Sequence, residues 1–190
     1  MEIAIDVDGV LAEQVKPVLS RVSDEYGVIM EKSDIQSWDE PIPETNSNIK
    51  IEIESAHEDP DYVLQMPIIG NARKKLAEIS ENHTIKIVTS RTKMSDETTK
   101  EWLCENDLKF DKYVNTAGKS KSSVNADILI DDFHKNVKEF ANSGKVGILF
   151  TQPWNEGYAS SMKKHENIHI ANNWDEAVDI MNDIQKRIGR

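Results

Sequence analysis

Apolar residues in this chain fall into two alternating rhythms. Glu2 to Asp6 is a short run, apolar on both faces of an extended backbone, as a strand inside a parallel sheet must be. Val15, Val18, Leu19, Val22 and Tyr26 then recur at helical spacing, and Gly27 supplies a stop signal. From there to about Ile69 the chain is acidic and broken by Pro41, Pro43 and Pro60, which predicts short helices and loops. Gly70 opens a further helix marked by Ala72, Leu76 and Ile79. Thr84–Thr89 reads as a second strand, followed by a helix that Ser95 is placed to cap and that runs to about Asn106. Ala126–Asp131, Lys145–Phe150 and Ile168–Ala171 read as three more strands. A helix through Val137 and Phe140 ends at Gly144, and a last helix carries Trp174, Ala177, Met181, Ile184 and Ile188 on one stripe. This alternation predicts an α/β fold, a parallel sheet with helices on both faces. The acidic block interrupts it directly after the first strand.

Charge narrows the partners. The formal net charge is -11, and ten acidic residues against two lysines (Lys32 and Lys50) lie between Glu31 and Asp61. Such a chain repels nucleic-acid backbones and anionic membranes, so neither polymeric nucleic acid nor a membrane is an expected partner. A small phosphate ester accompanied by a cation remains admissible. No apolar run approaches the ~18 residues of a membrane span. The N-terminus starts directly with a strand and has no basic head of a signal peptide. Cys104 is the only cysteine, so no disulfide closes within the chain, and its position in a helix predicts a small buried apolar group. A cytoplasmic location is the expectation.

Candidate chemistry gathers where ligands gather in open parallel sheets, at the carboxyl ends of the strands. Asp6 ends the first strand, and Asp8, two residues on, turns its carboxylate the same way while Gly9 permits a tight turn. Two such carboxylates can bind a divalent cation, attack an electrophile or move protons. Thr89 and Ser90 end the second strand with hydroxyls suited to phosphate oxygens, Lys121 precedes the next, and Asp131 and Asp132 end it. Each feature alone reads as a turn or a cap. Their order along the chain is what joins them.

That order resembles the haloacid dehalogenase superfamily of phosphotransferases. Five stretches resemble its 5'(3')-deoxyribonucleotidase-like branch: Asp6 to Ala12, Pro67 to Ala72, Val88 to Arg91, Lys121 to Asp132, and Phe150 to Asn155. The resemblance implies a Rossmann-like core over residues 1–12 and 70–190, with a small helical cap over 13–69. It implies that Asp6 is a nucleophile forming an aspartyl-phosphate and that Asp8 protonates the leaving alkoxide and then activates water. Thr89, Ser90 and Lys121 would bind the phosphoryl group. Asp6, the backbone carbonyl of Asp8, Asp131 and Asp132 would hold Mg2+, the cation such hard oxygen ligands suit. Lys119 competes with Lys121, and spacing to the Asp pair favours Lys121.

The implied substrate is a small phosphorylated metabolite of the nucleoside monophosphate class, with a sugar phosphate as the alternative. Trp38 is a candidate for stacking on a base, or else a core residue of the cap. Arg91 stands where the branch often has proline. It reads most simply as a surface ion pair, with contact to phosphate or to a substrate carboxylate as alternatives. Trp154 and Asn155 are expected to shape a loop beside the site, and the five histidines show no metal-ligand spacing. A receiver-like domain would order these motifs in reverse, and intact Asp6 and Asp8 argue against a protein that only binds phosphate.

Overall fold

A computed structural model describes residues 1–188. Strand β1 (Glu2–Ile5) is followed by three helices, α1 (Val15–Tyr26), α2 (Ile49–Ala56) and α3 (Pro60–Gln65). The chain then alternates through α4 (Ala72–Ser80), β2 (Thr84–Thr89), α5 (Asp96–Glu105), β3 (Lys112–Asn115) and β4 (Ile128–Asp131). It ends with α6 (His134–Asn142), β5 (Val146–Phe150), α7 (Glu156–Met162), β6 (Ile168–Ala171) and α8 (Trp174–Ile188). Short 3-10 turns occupy Lys32–Asp34, Lys93–Ser95 and Lys121–Ser123. The strands form one parallel sheet in the order β3-β2-β1-β4-β5-β6.

The two-residue alternation of a strand sorts its side chains onto opposite faces. Ile3, Ile5, Ile128, Ile130 and Phe150 pack with Leu76 of α4, Trp102 of α5 and Met181 of α8. Ala4 and Leu129 pack with Phe140, and Leu149 with Val137 and Met162, on the side of α6 and α7. This is the expected Rossmann-like arrangement. Fully buried side chains such as Ile3 and Ile5 each contribute about 1.5–3 kcal/mol through burial.

Residues between β1 and α4 leave and re-enter the core at one place. Glu13 N donates to Pro67 O and Ile69 N donates to Leu11 O, both at 2.8 Å, so the outgoing and returning chains pair like a short stalk. Beyond it α1, α2 and α3 pack through Val18, Val22, Ile49, Ile53 and Val63. Gly27 ends α1 in the left-handed region, at φ 69°, as its position predicts.

Four local expectations change. Edge strand β3 was not predicted, because its half-exposed residues carry no apolar alternation. Helix α7 is likewise poor in apolar residues, with the sequence EGYASSM, and lacks a stripe to signal it. Ser95 precedes α5 but does not cap it: its hydroxyl donates to Thr92 O at 2.9 Å, closing the 3-10 turn that leads into the helix. Cys104 is exposed, since α5 buries Thr99, Trp102 and Leu103 and turns the next position outward. In α8, Trp174, Ala177, Met181 and Ile184 are buried, while the Ile188 side chain lies outside the described residues. No described helix is long and apolar enough to cross a membrane.

Candidate active site

Strand order reverses on either side of β1, which opens a crevice at the carboxyl edge between β1 and β4. Register sets its contents. Ile5 pairs with Ile130 and with Ile87, so Asp6 follows beside Asp131, and Thr89 ends the neighbouring strand. Asp6 N donates to Ile130 O at 2.9 Å, locking that alignment. Immediately afterwards the amides of Leu11 and Ala12 both donate to Val7 O, closing a tight turn. Gly9 sits in it at φ 71°, and a Cβ there would collide with the Asp132 carboxylate. Only glycine meets both conditions at low cost.

Lys121 is buried at the heart of the crevice. Its Nζ lies 2.8 Å from Asp6 Oδ1 and 2.8 Å from Asp131 Oδ2. The turn that carries it is held from below by Lys145, whose Nζ donates to Ser122 O at 3.1 Å and Val124 O at 2.7 Å. Lys119 is exposed. Asp6 Oδ1 also accepts from Val7 N at 2.8 Å, and Oδ2 takes no hydrogen bond among the described residues. Asp131 is fully engaged: Oδ1 accepts from Phe133 N at 2.7 Å, and Oδ2 from Lys121 and Asn136. Asp132 Oδ2 accepts from Trp154 Nε1 at 2.8 Å, and Asn155 Nδ2 donates to the Asp132 carbonyl at 2.7 Å. The Pro-Trp-Asn loop thus orients an acidic residue, which spacing alone did not reveal.

One carboxylate oxygen from each of Asp6, Asp131 and Asp132 lies within 4.8 Å of the other two. Burial, only partly offset by Lys121 and reinforced by Asp131 and Asp8, pushes the Asp6 carboxyl up to about 7. Burial and then repulsion from Asp131 and Asp6 hold Asp132 well above the ordinary carboxylate range. Burial works against the Lys121 ammonium too, yet Asp131 and Asp6 hold its pKa above the usual value. Three hard oxygen donors crowded together, two of them reluctant to ionise, suit a small divalent cation.

Asp8 lies beside this cluster, and its carboxylate has other partners. Arg91 grips it in a fork, Nε to Oδ2 at 2.8 Å and Nη2 to Oδ1 at 2.5 Å. The Arg91 side chain is only 1% exposed, so the surface ion pair expected from sequence is instead a buried one. Burial favours the neutral acid at Asp8, but the guanidinium overrides it and holds the carboxyl below its ordinary range. His57, at the end of α2, brings Nε2 to 3.6 Å from Asp8 Oδ1, and that nitrogen has no hydrogen-bond partner among the described residues. Burial lowers its pKa to about 4. No sequence spacing signalled His57, because it reaches the site only through the packing of α2.

Thr89 is buried, and its hydroxyl accepts from Arg91 N at 3.2 Å. Ser90 is exposed at the rim and shares a hydrogen bond with Thr116 at 3.0 Å. Trp38 is half-buried against Trp154, with ring centroids 4.8 Å apart. Lys32 lies over the same Trp154 ring and pairs with Glu13 at 2.5 Å. The residues brought together are therefore Asp6, Lys121, Asp131 and Asp132, with Asp8 and Arg91 alongside, Thr89 and Ser90 on the adjoining strand end, and Trp38 reaching in from the segment after β1. Four carboxylates face two cations rather than the one lysine expected.

A family model described as "5' nucleotidase, deoxy (Pyrimidine), cytosolic type C protein" matches residues 1–187. Two curated proteins, the 5'(3')-deoxyribonucleotidases of Bacillus subtilis (strain 168) and Bacillus phage SPbeta, are each 28% identical over 179 residues, covering 92% of this chain and 94% of theirs. Among solved structures, a haloacid dehalogenase-like hydrolase from Streptococcus pneumoniae superimposes with a TM-score of 0.65 at 16% identity, covering 95% of this chain and 97% of that one. D,D-heptose 1,7-bisphosphate phosphatase from B. bronchiseptica, solved with magnesium and phosphate, gives a TM-score of 0.54 at 9% identity over 96% and 99% of the two chains. These last two likenesses are likenesses of fold.

Proposed function

This chain belongs to the deoxy (pyrimidine) cytosolic type C family of 5' nucleotidases, within the haloacid dehalogenase phosphatases, and on that premise we propose that it hydrolyses (deoxy)nucleoside monophosphates with Mg2+ through an aspartyl-phosphate. The observation that carries this reading is the buried contact of Asp6 with Lys121 inside a cluster of three carboxylates. Asp6, Asp131, Asp132 and the backbone carbonyl of Asp8 are the groups that would hold Mg2+. When bound, the ion supplies positive charge that offsets repulsion between Asp6 and the anionic phosphate ester.

In the first step Asp6 Oδ2 attacks phosphorus and the bond to the leaving oxygen breaks. Asp8 passes that oxygen a proton that enters with the ester, whose second ionisation lies at about 6. Lys121 neutralises charge on the transferring group, and the Thr89 and Ser90 hydroxyls bind its oxygens. In the second step Asp8 takes a proton from water. The water oxygen attacks phosphorus, the bond to Asp6 breaks, and inorganic phosphate leaves. Residues 13–69 act as a cap that excludes water, with Trp38 lining the leaving-group side. The single cysteine and the family description support a cytoplasmic location.

The test is phosphate release from a panel of nucleoside, deoxynucleoside and sugar monophosphates, with Mg2+ and with chelator. Nucleotides are expected to turn over fastest and only with metal. Asp6→Asn is expected to remain folded and release no phosphate. A clear preference for sugar phosphates would replace the substrate class, and turnover by the folded Asp6→Asn protein would end the nucleophile assignment.

A further inference from the structure

Arg91 is a buried cation that the proposed reaction does not use, and its surroundings give it a task. Among the described residues it is the sole hydrogen-bonding partner of the Asp8 carboxylate, and it engages both oxygens. The neighbouring His57 stands 3.6 Å away, beyond a good hydrogen bond, so it does not fix the rotation of the carboxylate. The guanidinium is itself anchored. Nη1 donates to Thr99 Oγ1 on α5 at 3.0 Å, and Nη2 reaches Met66 Sδ, where the segment after β1 returns to the core. Its backbone is anchored too: Arg91 N donates to Thr89 Oγ1, and Asn115 Nδ2 donates to Arg91 O at 3.0 Å. Almost no solvent reaches the side chain, at 1% exposed. With its donors engaged inside the protein, this arginine is poorly placed to receive a substrate phosphate. It is well placed to set the plane in which Asp8 meets water.

We infer that Arg91 is a positioning residue that aims the Asp8 carboxylate at the water of the second step, the hydrolysis of the phosphorylated Asp6. The inference rests on the proposed roles of Asp6 and Asp8. A two-pronged donor fixes both the position and the rotation of a carboxylate, whereas lysine supplies the same charge through a point contact. Arg91→Lys therefore preserves charge and loses aim.

4-Nitrophenyl phosphate separates the two steps, because its leaving group needs no proton in the first. The wild-type protein, Arg91→Lys and Asp8→Asn are each mixed with it under rapid-flow conditions in the presence of Mg2+, after circular dichroism has established that they are folded. Arg91→Lys is expected to release about one equivalent of nitrophenolate per site at close to the wild-type rate. Its subsequent steady state should then be slower by about 10- to 100-fold, the range set by a misdirected general base. KM should fall in step with kcat, leaving kcat/KM close to the wild-type value, because only the step after phosphorylation of Asp6 slows. Adding Arg91→Lys to Asp8→Asn should change the steady state less than about twofold, since the residue acts through Asp8. If Arg91→Lys does not fold, Thr99→Val loosens the guanidinium while keeping the ion pair, and should give the same pattern more weakly. Equal slowing of burst and steady state, or further loss in the Asp8→Asn background, would overturn the inference. If Asp8→Asn itself slows both phases equally, the role of Asp8 fails instead, which is a different result from the failure of Arg91.

Discussion

Single atoms at this site are already assigned to different tasks. Asp6 spends Oδ1 on Val7 N and Lys121 and keeps Oδ2 open. Asp131 spends both oxygens on the protein, and Asp132 gives one to Trp154. Partners of this kind orient a ligand carboxylate and tune its affinity for metal. Trp154→Phe keeps the ring that packs on Trp38 and removes the indole N–H. It is expected to weaken Mg2+ binding by about 10- to 100-fold, read by titration calorimetry on the folded protein. An unchanged affinity would show that Asp132 needs no such orientation.

The connection after β1 works as one device. It must reverse the chain within a few residues, bring Asp8 alongside Asp6, and let Asp132 approach the backbone. Gly9 answers the first and last needs through its positive φ and missing Cβ. Gly9→Ala strains the backbone by about 1–3 kcal/mol and pushes on Asp132, so both thermal stability and phosphate release should fall. Equal activity and melting temperature would mean that the turn relaxes freely. Lys145 performs the corresponding service for the turn at Lys121, tying its carbonyls to the start of β5. In both places a catalytic candidate is held by backbone contacts that are invisible in the residue pattern.

Across the whole molecule the buried charges couple folding to pH. Asp6 ordinarily titrates at 3.8, but in the folded, metal-free protein it does so at about 7. Between those values the folded chain retains a proton that the unfolded chain has lost, so stability from this group is present at low pH and falls as pH rises through that window. Asp132 acts in the same direction. Asp8, held low by Arg91, acts oppositely and loses its contribution as pH falls through its folded pKa. Against Asp6→Asn, the metal-free wild-type protein should therefore lose relative melting temperature between about pH 5 and about pH 7.5. Mg2+, which competes with protons for the carboxylates, should restore more at the higher pH. A constant difference across the range would contradict the elevated Asp6 value.

Much of this was legible in one dimension. Apolar period separates strands from helices because burial acts on residues two or three to four positions apart. The strand-end motifs, from Asp6 to Asp132, are legible because a parallel sheet brings its carboxyl ends to one edge whatever lies between. Edge strand β3 and helix α7 escaped because neither buries enough apolar surface to leave a pattern. Arg91 was readable as a cation, but whether it faced water or Asp8 depended on how α5 and Met66 close over it. His57 reaches the site only because α2 folds back beside the first turn. The chain by itself thus determined which chemistry is present and along which edge it lies, since both follow from local period and residue type. The tertiary structure alone decided which carboxylate each cation serves, because side-chain direction across a crevice is set by the packing of segments far apart in the chain.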